Sequence, residues 1–322
     1  MILDYRTVRR CLDMKGAIRD VERAFRLFGK GRTQMPAKIY LDLKAYHGDF
    51  RAMPVFVEGM GAALKWVNVH PGNRKKGLPT VMATVILSDP RTGFPMAIMD
   101  GTQITNYRTG AAGGVAAKYL ARKDSSVLAL VGCGEQAGTQ LLALEALFVV
   151  KEVRVWGYKT EHIKAFRKIL GKKRYKVLTA KSIQECVRGA DIVATTTPSR
   201  KPLIRPGWLK EGAHVNAIGA DAPGKHELDP RILKKARIII DDWRQASHSG
   251  EINVALKKGM IDKRMIGGEL ADIVNGKISG RTDDKQITIF DSTGLAIQDV
   301  ALAYTIYKKA KRQKWGRFIN FV

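Results

Sequence analysis

The most chemically specific spacing in the sequence lies in VLALVGCGEQAGTQLLALEAL, residues 127–147, where Gly132, Gly134 and Ala137 follow an aliphatic run and precede an amphipathic stretch. Gly132 permits a sharp turn between strand and helix, Gly134 lets the backbone approach a bound group, and Ala137 keeps helix and strand close. The helix-end N–H groups around Glu135 and Gln136 then face an anion. Such a turn suits a pyrophosphate, and with it a dinucleotide. An ordinary glycine turn also joins strands to helices, but the strand-helix alternation that continues downstream favours the dinucleotide reading.

The next strand, VRVW, ends at Gly157-Tyr158-Lys159-Thr160. A strand in this position often ends in an acid that holds the ribose hydroxyls of NAD, and none stands here. Its absence removes repulsion against a 2′-phosphate, which Lys159 as a cation and Thr160 as a hydroxyl could hold beside Tyr158. The tip therefore favours NADP(H) over NAD(H), with a merely exposed loop as the alternative.

These groups need a scaffold. Downstream of residue 123, short β-branched runs (VLALVG, VRVWG, KVLTA, DIVATTT, HVNAIGA, ARIIIDD) alternate with longer amphipathic stretches. Each crossover between parallel strands needs such an intervening element, so the pattern predicts a doubly wound parallel sheet of Rossmann type. The first hundred residues differ. A helical opening, VRRCLDMKGAIRDVERAFRLFGKG, gives way to alternating segments (KIYLDL, LKWVNV, PTVMATVIL, PMAIMD) with turn chemistry at His70-Pro71-Gly72-Asn73 and Asp89–Gly93. That predicts an α+β unit with antiparallel strands. The Ala/Gly-rich stretch RTGAAGGVAAKYLARK suits a tightly packed helix linking the two. The last stretch starts as a strand and continues as one long helix, with Leu295, Val300, Leu302 and Ile306 on its apolar face. The predicted class is α/β: a Rossmann-type domain over 116–299, and an α+β substrate and dimerisation domain formed by 1–115 with 300–322.

Composition narrows the classes. With 322 residues, 45% of them hydrophobic, the chain can bury two ordinary cores. Its 56 Lys+Arg against 30 Asp+Glu leave a formal charge of +26, but the basic residues recur at helical spacing beside apolar ones, as in AFRKILGKKRYKV. A solvated basic surface accounts for this, and no specific nucleic-acid motif accompanies it. Cys11, Cys133 and Cys186 form no CxxC pair and read as free thiols; the histidines form no ligand cluster, so no metal is expected. The opening MILDYRTVRR lacks the pattern of a secretory signal, and no window is apolar enough for a bilayer. A cytoplasmic location without a membrane partner is expected.

Several segments combine polar residues with tight backbone: QMPAKIYLD, DFRAMP, LKWVNVHPGN, YRTGAAGG, TTTPSRKP, NAIGADAPGKHELD and IFDSTGLAIQD. In this order, and over essentially the whole chain, they resemble the ornithine cyclodeaminase and mu-crystallin family, with the RAMP and RTGAAGG segments most like those of the archaeal alanine dehydrogenases. The resemblance implies that Lys65 donates and accepts protons, that Arg51 and Lys38 grip a substrate carboxylate, and that Asp221 assists the chemistry. It implies coenzyme contacts from Thr80, Arg108 and Thr109, from Glu135 and Gln136, from Thr197, from Ala217, Ile218 and Gly219, and from Lys225 and Ser292. It also implies a homodimer acting on a small amino or keto acid.

The residue types suit that chemistry. A 2-oxo or 2-amino acid needs cations for its carboxylate and a proton relay for carbinolamine and imine steps. A lysine serves as relay only if burial or neighbouring charge brings its pKa towards neutrality. Taken singly, Lys65 could snorkel to solvent, Arg51 could pair with Asp49, Asp221 could cap a turn and Arg108 could bond local carbonyls. Three activities fit the resemblance: reversible oxidative deamination of L-alanine, cyclisation of L-ornithine to L-proline with bound NAD, and cyclic ketimine reduction or mu-crystallin-like NADPH binding. The family's cyclodeaminases carry an acid where Arg51 stands, and a cation there repels ornithine's distal amine. This departure favours alanine.

Overall fold

The computed structural model describes residues 1–320; residues 321 and 322 of the predicted 300–322 segment lie outside the described residues. The chain divides into two compact units, Met1–Arg108 with Leu295–Val322, and Thr109–Gly294. The divisions thus fall at 108/109 and 294/295, ahead of the expected 115/116 and 299/300. The later one assigns the whole C-terminal helix, with Gln298 and Asp299, to the first unit.

In the first unit, β1 (Ile2–Leu3) leads into α1 (Tyr5–Cys11) and α2 (Met14–Gly29). The sequence reads as one helical opening, but it breaks at Leu12-Asp13 because the Asp13 side chain accepts from the Gly16 N–H at 2.7 Å and starts a new helix. There follow β2 (Thr33–Gln34), β3 (Ile39–Leu43), β4 (Gly48–Val57), β5 (Gly61–Val69), β6 (Val81–Ser88) and β7 (Pro95–Asp100). They form one sheet in the order β1-β7-β6-β5-β4-β2, with β3 also paired to β4; only the β1–β7 pairing is parallel. Period-two alternation sends Arg51, Met53, Val55 and Val57 of β4, Lys65 and Val67 of β5, and Val85 and Leu87 of β6 inward. The C-terminal helix (Ala296–Arg312) packs on β4, β5 and β6 and against α2, closing this core with Val300, Ala303 and Ile306. Phe25 of α2 is fully buried there, worth about 1.5–3 kcal/mol over an exposed position.

A buried helix, α3 (Thr102–Leu120), carries the chain across the division. The second unit is a sheet of β8 (Val127–Val131), β9 (Glu152–Trp156), β10 (Lys176–Thr179), β11 (Ile192–Thr195), β12 (His214–Ala217), β13 (Arg237–Ile240), β14 (Ile266–Glu269) and β15 (Thr288–Asp291). Its order is β10-β9-β8-β11-β12-β15-β13-β14, and every pairing is parallel. The helices include α4 (Glu135–Glu145), α5 (Thr160–Leu170) and α6 (Ile183–Val187). The chain runs from β8 out to β9 and β10, then returns to place β11 on the other side of β8. This reversal makes the carboxyl ends of β8 and β11 a topological switch point, where open α/β sheets bind ligands. The expected α/β class with a doubly wound sheet is the fold found. Among the described residues, no helix is long and apolar enough to cross a membrane.

Candidate active site

In the first unit the inward face of the sheet holds cations that an apolar core does not tolerate alone. Lys65 sits on β5 between Met53 of β4 and Val85 of β6 and is 1% exposed. Its Nζ lies 2.8 Å from Asp299 Oδ1 and 2.7 Å from Oδ2. Arg108 joins the same carboxylate, with Nε 3.2 Å from Asp299 Oδ1, and its Nη1 donates to Gln298 Oε1 at 2.9 Å. Two cations thus share one anion. Burial, with Arg108 reinforcing it, pulls the Lys65 amine down to about 7, and Asp299 and the bond to it oppose that fall only in part. Lys38 adds a further positive charge that acts on the same amine. The amine is therefore both buried and able to change protonation near neutral pH, which a snorkelling lysine is not.

Arg51 does pair with Asp49, at 2.8 Å from Nε to Oδ1 and 3.2 Å from Nη2 to Oδ2, but it is 5% exposed and its guanidinium lies over the Tyr40 ring. Arg51 is thus inside, while its partner Asp49 is half-buried. Since Arg51 registers with Val67 and Met53 with Lys65, Arg51 and Lys65 are diagonal neighbours on one face of the sheet. Thr80 stands just before β6, and its carbonyl accepts from the His70 N–H at 2.8 Å.

The second unit collects the predicted nucleotide residues at the carboxyl ends of its strands. Gly132 has φ +116°, and a Cβ there would strike the Thr196 hydroxyl, so the turn after β8 is locked to the end of β11. Gly134 is different, because a Cβ on it would meet open space. It caps α4 without any side-chain bond to the first turn, where Glu135 is exposed, Gln136 half-buried and Ala137 buried. Open room above an uncapped first turn is what a pyrophosphate needs. Thr109 holds the other side of this turn's helix, its carbonyl accepting from Gln140 Nε2 at 2.9 Å. Tyr158, Lys159 and Thr160 are exposed at the end of β9, where Lys159 caps α5.

Farther along the sheet, Thr197 follows β11, Ala217 ends β12 with Ile218 and Gly219 beyond it, and Ser292 follows β15. The Ser292 hydroxyl is buried without a hydrogen-bond partner, a polar group that a bound ligand would satisfy. Asp221 lies 2.6 Å from Lys225, so these two form an ion pair of their own. The residues present thus fit a dinucleotide.

Two groups escaped the sequence reading. Asp299 ends the quoted IFDSTGLAIQD segment, but 234 positions separate it from Lys65, and an acid in a helix's first turn looks like an ordinary dipole partner. Glu227, inside NAIGADAPGKHELD, is fully buried and accepts from both Thr197 and Gly219. A Glu beside a turn gives no sign of burial.

Comparison with known proteins places the chain in a family. The profile of the ornithine cyclodeaminase/mu-crystallin family matches residues 1–314. The chain is 50% identical over 323 residues to the alanine dehydrogenase of Archaeoglobus fulgidus, covering 100% of this chain and 98% of that one. An archaeal alanine dehydrogenase dimer with bound NAD superposes with a TM-score of 0.96 at 49% identity, covering 100% and 99% of the two chains. The Δ1-pyrroline-2-carboxylate reductase of Thermococcus litoralis, in complex with NADH and L-proline, also gives 0.96, at 36% identity over 99% and 100%. With its motifs, fold and relatives in accord, this chain belongs to the ornithine cyclodeaminase/mu-crystallin family.

Proposed function

We propose that the chain is a nicotinamide-dependent oxidoreductase that converts L-alanine reversibly to pyruvate and ammonia. The observation that carries this reading is the Lys65–Asp299–Arg108 cluster, a buried amine brought to about 7 in a site with one more cation than anion. A small carboxylate balances that excess, and an amine near neutrality can both take and return a proton at working pH. Arg51 and Lys38 bind the substrate carboxylate. Neutral Lys65 takes a proton from the substrate amine as the Cα hydrogen leaves, so the Cα–N bond becomes an imine. Protonated Lys65 then returns its proton to nitrogen as water adds to Cα, and takes the carbinolamine hydroxyl proton as ammonia departs and the carbonyl forms. Asp221, paired with Lys225, is assigned to assist the chemistry. The β8 turn and the crest of β11, β12 and β15 would hold a nicotinamide coenzyme, which would supply the hydride acceptor for the oxidation and the hydride donor for its reverse.

The relatives' structures carry NAD or NADH. For this chain we assign Lys159 and Thr160, at the start of α5 where the strand tip itself carries no acid and Glu161 follows in the first turn, to the 2′-phosphate of NADP, which makes NADP(H) the preferred coenzyme. The homodimer is also part of the proposal. Ile39, Leu41, Trp66 and Ile86 stand exposed on the sheet face away from the C-terminal helix, and Phe50 stacks on Trp66 at 5.0 Å, leaving an apolar surface for a second copy. Light scattering measures that mass directly.

A second reading has a specific support, the similarity to a Δ1-pyrroline-2-carboxylate reductase over the full chain. The same proton donor and carboxylate grip suit a cyclic imine acid. A substrate panel with both coenzymes, followed by the near-ultraviolet absorbance of the reduced nicotinamide, separates the two. Consumption with pyruvate plus ammonium supports the alanine reading, consumption only with the cyclic imine supports the second, and proline formed from ornithine without net coenzyme change counts against both.

A further inference from the structure

Three neighbouring strands of the second unit, β11, β12 and β15, end in loops joined by buried carboxylates that the proposed chemistry does not use. Glu227 is 0% exposed. Its Oε1 accepts from the Thr197 N–H and hydroxyl, both at 2.7 Å, and its Oε2 accepts from the Gly219 N–H at 2.9 Å. One carboxylate thus spans the crests of β11 and β12. Gly219 is held so close that a Cβ there would strike the Thr197 carbonyl and the Glu227 side chain. The ladder continues: Glu251 accepts from the Glu227 N–H at 2.9 Å and the Leu228 N–H at 2.6 Å, and Asp291 Oδ1 accepts from the Glu251 N–H at 2.8 Å. Asp291 ends β15 and immediately precedes Ser292. The β11 crest in turn abuts the dinucleotide turn, since Thr196 fills the space where a Gly132 Cβ would stand.

Burying the Glu227 carboxylate against N–H groups and a hydroxyl is costly, and a fold that needed only to close these loops could use backbone bonds or hydroxyls. The ladder places its acceptors where three crests must keep a fixed spacing beside an open, anion-ready turn. We propose that Glu227 is a positioning residue for the coenzyme: by bridging Thr197 and Gly219 it sets the spacing of the crest against which the coenzyme lies. This rests on the coenzyme reading above. The span is what matters, because a shorter acid keeps the charge but cannot reach both loops, and an amide keeps the length but offers one acceptor oxygen in place of two. Burial pushes the Glu227 carboxyl up to about 7, so an uncharged amide is compatible with the folded unit.

The test titrates NADH into the wild type, Glu227→Gln, Glu227→Asp and Thr197→Val, following coenzyme fluorescence, with each protein's Tm measured without coenzyme. The proposal predicts that Glu227→Gln and Glu227→Asp bind NADH about 10- to 100-fold more weakly, as loss of bonds to a charged acceptor implies. Thr197→Val, which removes one of the three bonds, should weaken binding by about threefold to tenfold with a wild-type Tm. If Glu227→Gln fails to fold, Glu227→Asp, which leaves the Thr197 hydroxyl in place, decides the matter. Affinities within twofold of wild type in the folded variants, or losses that track Tm alone, would overturn the proposal. A wild type that binds neither NADH nor NADPH would instead remove the coenzyme reading and this inference with it.

Discussion

In the first unit Lys65 and Arg108 are buried against one side-chain anion, Asp299, whereas in the second Glu227, Glu251 and Asp291 are buried against backbone N–H groups and a hydroxyl. The partners decide what each arrangement can do. A side-chain counter-ion shared between two cations leaves one of them, the lysine, close to losing its proton. Backbone amides do not titrate in this range; they fix the loops that carry them. The same cost of burying charge thus goes with a side-chain ion cluster in one region and a bridge between loops in the other.

Replacing Lys65 should break the first region most severely. Lys65→Ala is expected to lower kcat by about 10²–10⁴-fold, the usual reach of general acid–base catalysis, while the Kd for NADH stays within about threefold. Stopped-flow turnover with a parallel coenzyme titration checks both halves, and retained turnover would remove the lysine from the chemistry. Arg51→Met is next. It should raise KM for L-alanine and pyruvate by about 10- to 100-fold with little change in kcat, because it removes charge-assisted bonds made equally in ground and transition states. A fall in kcat alone would place Arg51 elsewhere in the mechanism.

Asp299→Asn sharpens the comparison. Asp299 holds the Lys65 pKa up against burial and Arg108, so its loss should move the acid limb of the pH–rate profile to lower pH, by about 1–3 units. An unmoved or rising limb would show that the carboxylate does not set the amine's protonation. The smallest expected effect lies at the β9 tip, where Lys159→Asp should shift the ratio of specificity constants from NADP(H) towards NAD(H) by about tenfold. An unaltered ratio would defeat that assignment.

The second unit was the more legible from sequence, and the reason is local. Its turn, strand periods and glycine spacing are written within a few residues of one another, as at Gly132, Gly134 and Ala137. The inward face of the first sheet was only half legible. Lys65 and Arg51 stand out through their motifs, yet the groups that give them their chemistry come from the far end of the chain, in Asp299, or from register, in the diagonal placing of Arg51 and Lys65. Strand β4 itself was hidden, because DFRAMPVFV reads as a polar motif followed by an apolar run until β3 and β5 pair with it. Glu227 was invisible for the converse reason: its burial depends on two loops that close over it, and no spacing within GKHELD announces them.

The central claim is that a buried lysine titrating near neutrality carries the proton. The most direct measurement is the pH dependence of kcat/KM for oxidation of L-alanine by the wild-type enzyme at saturating coenzyme. Activity should fall as pH drops through about 7, where Lys65 takes up its proton and can no longer act as a base. A profile that stays flat from slightly acid to alkaline pH, or breaks only in the range of an ordinary lysine, would contradict the account.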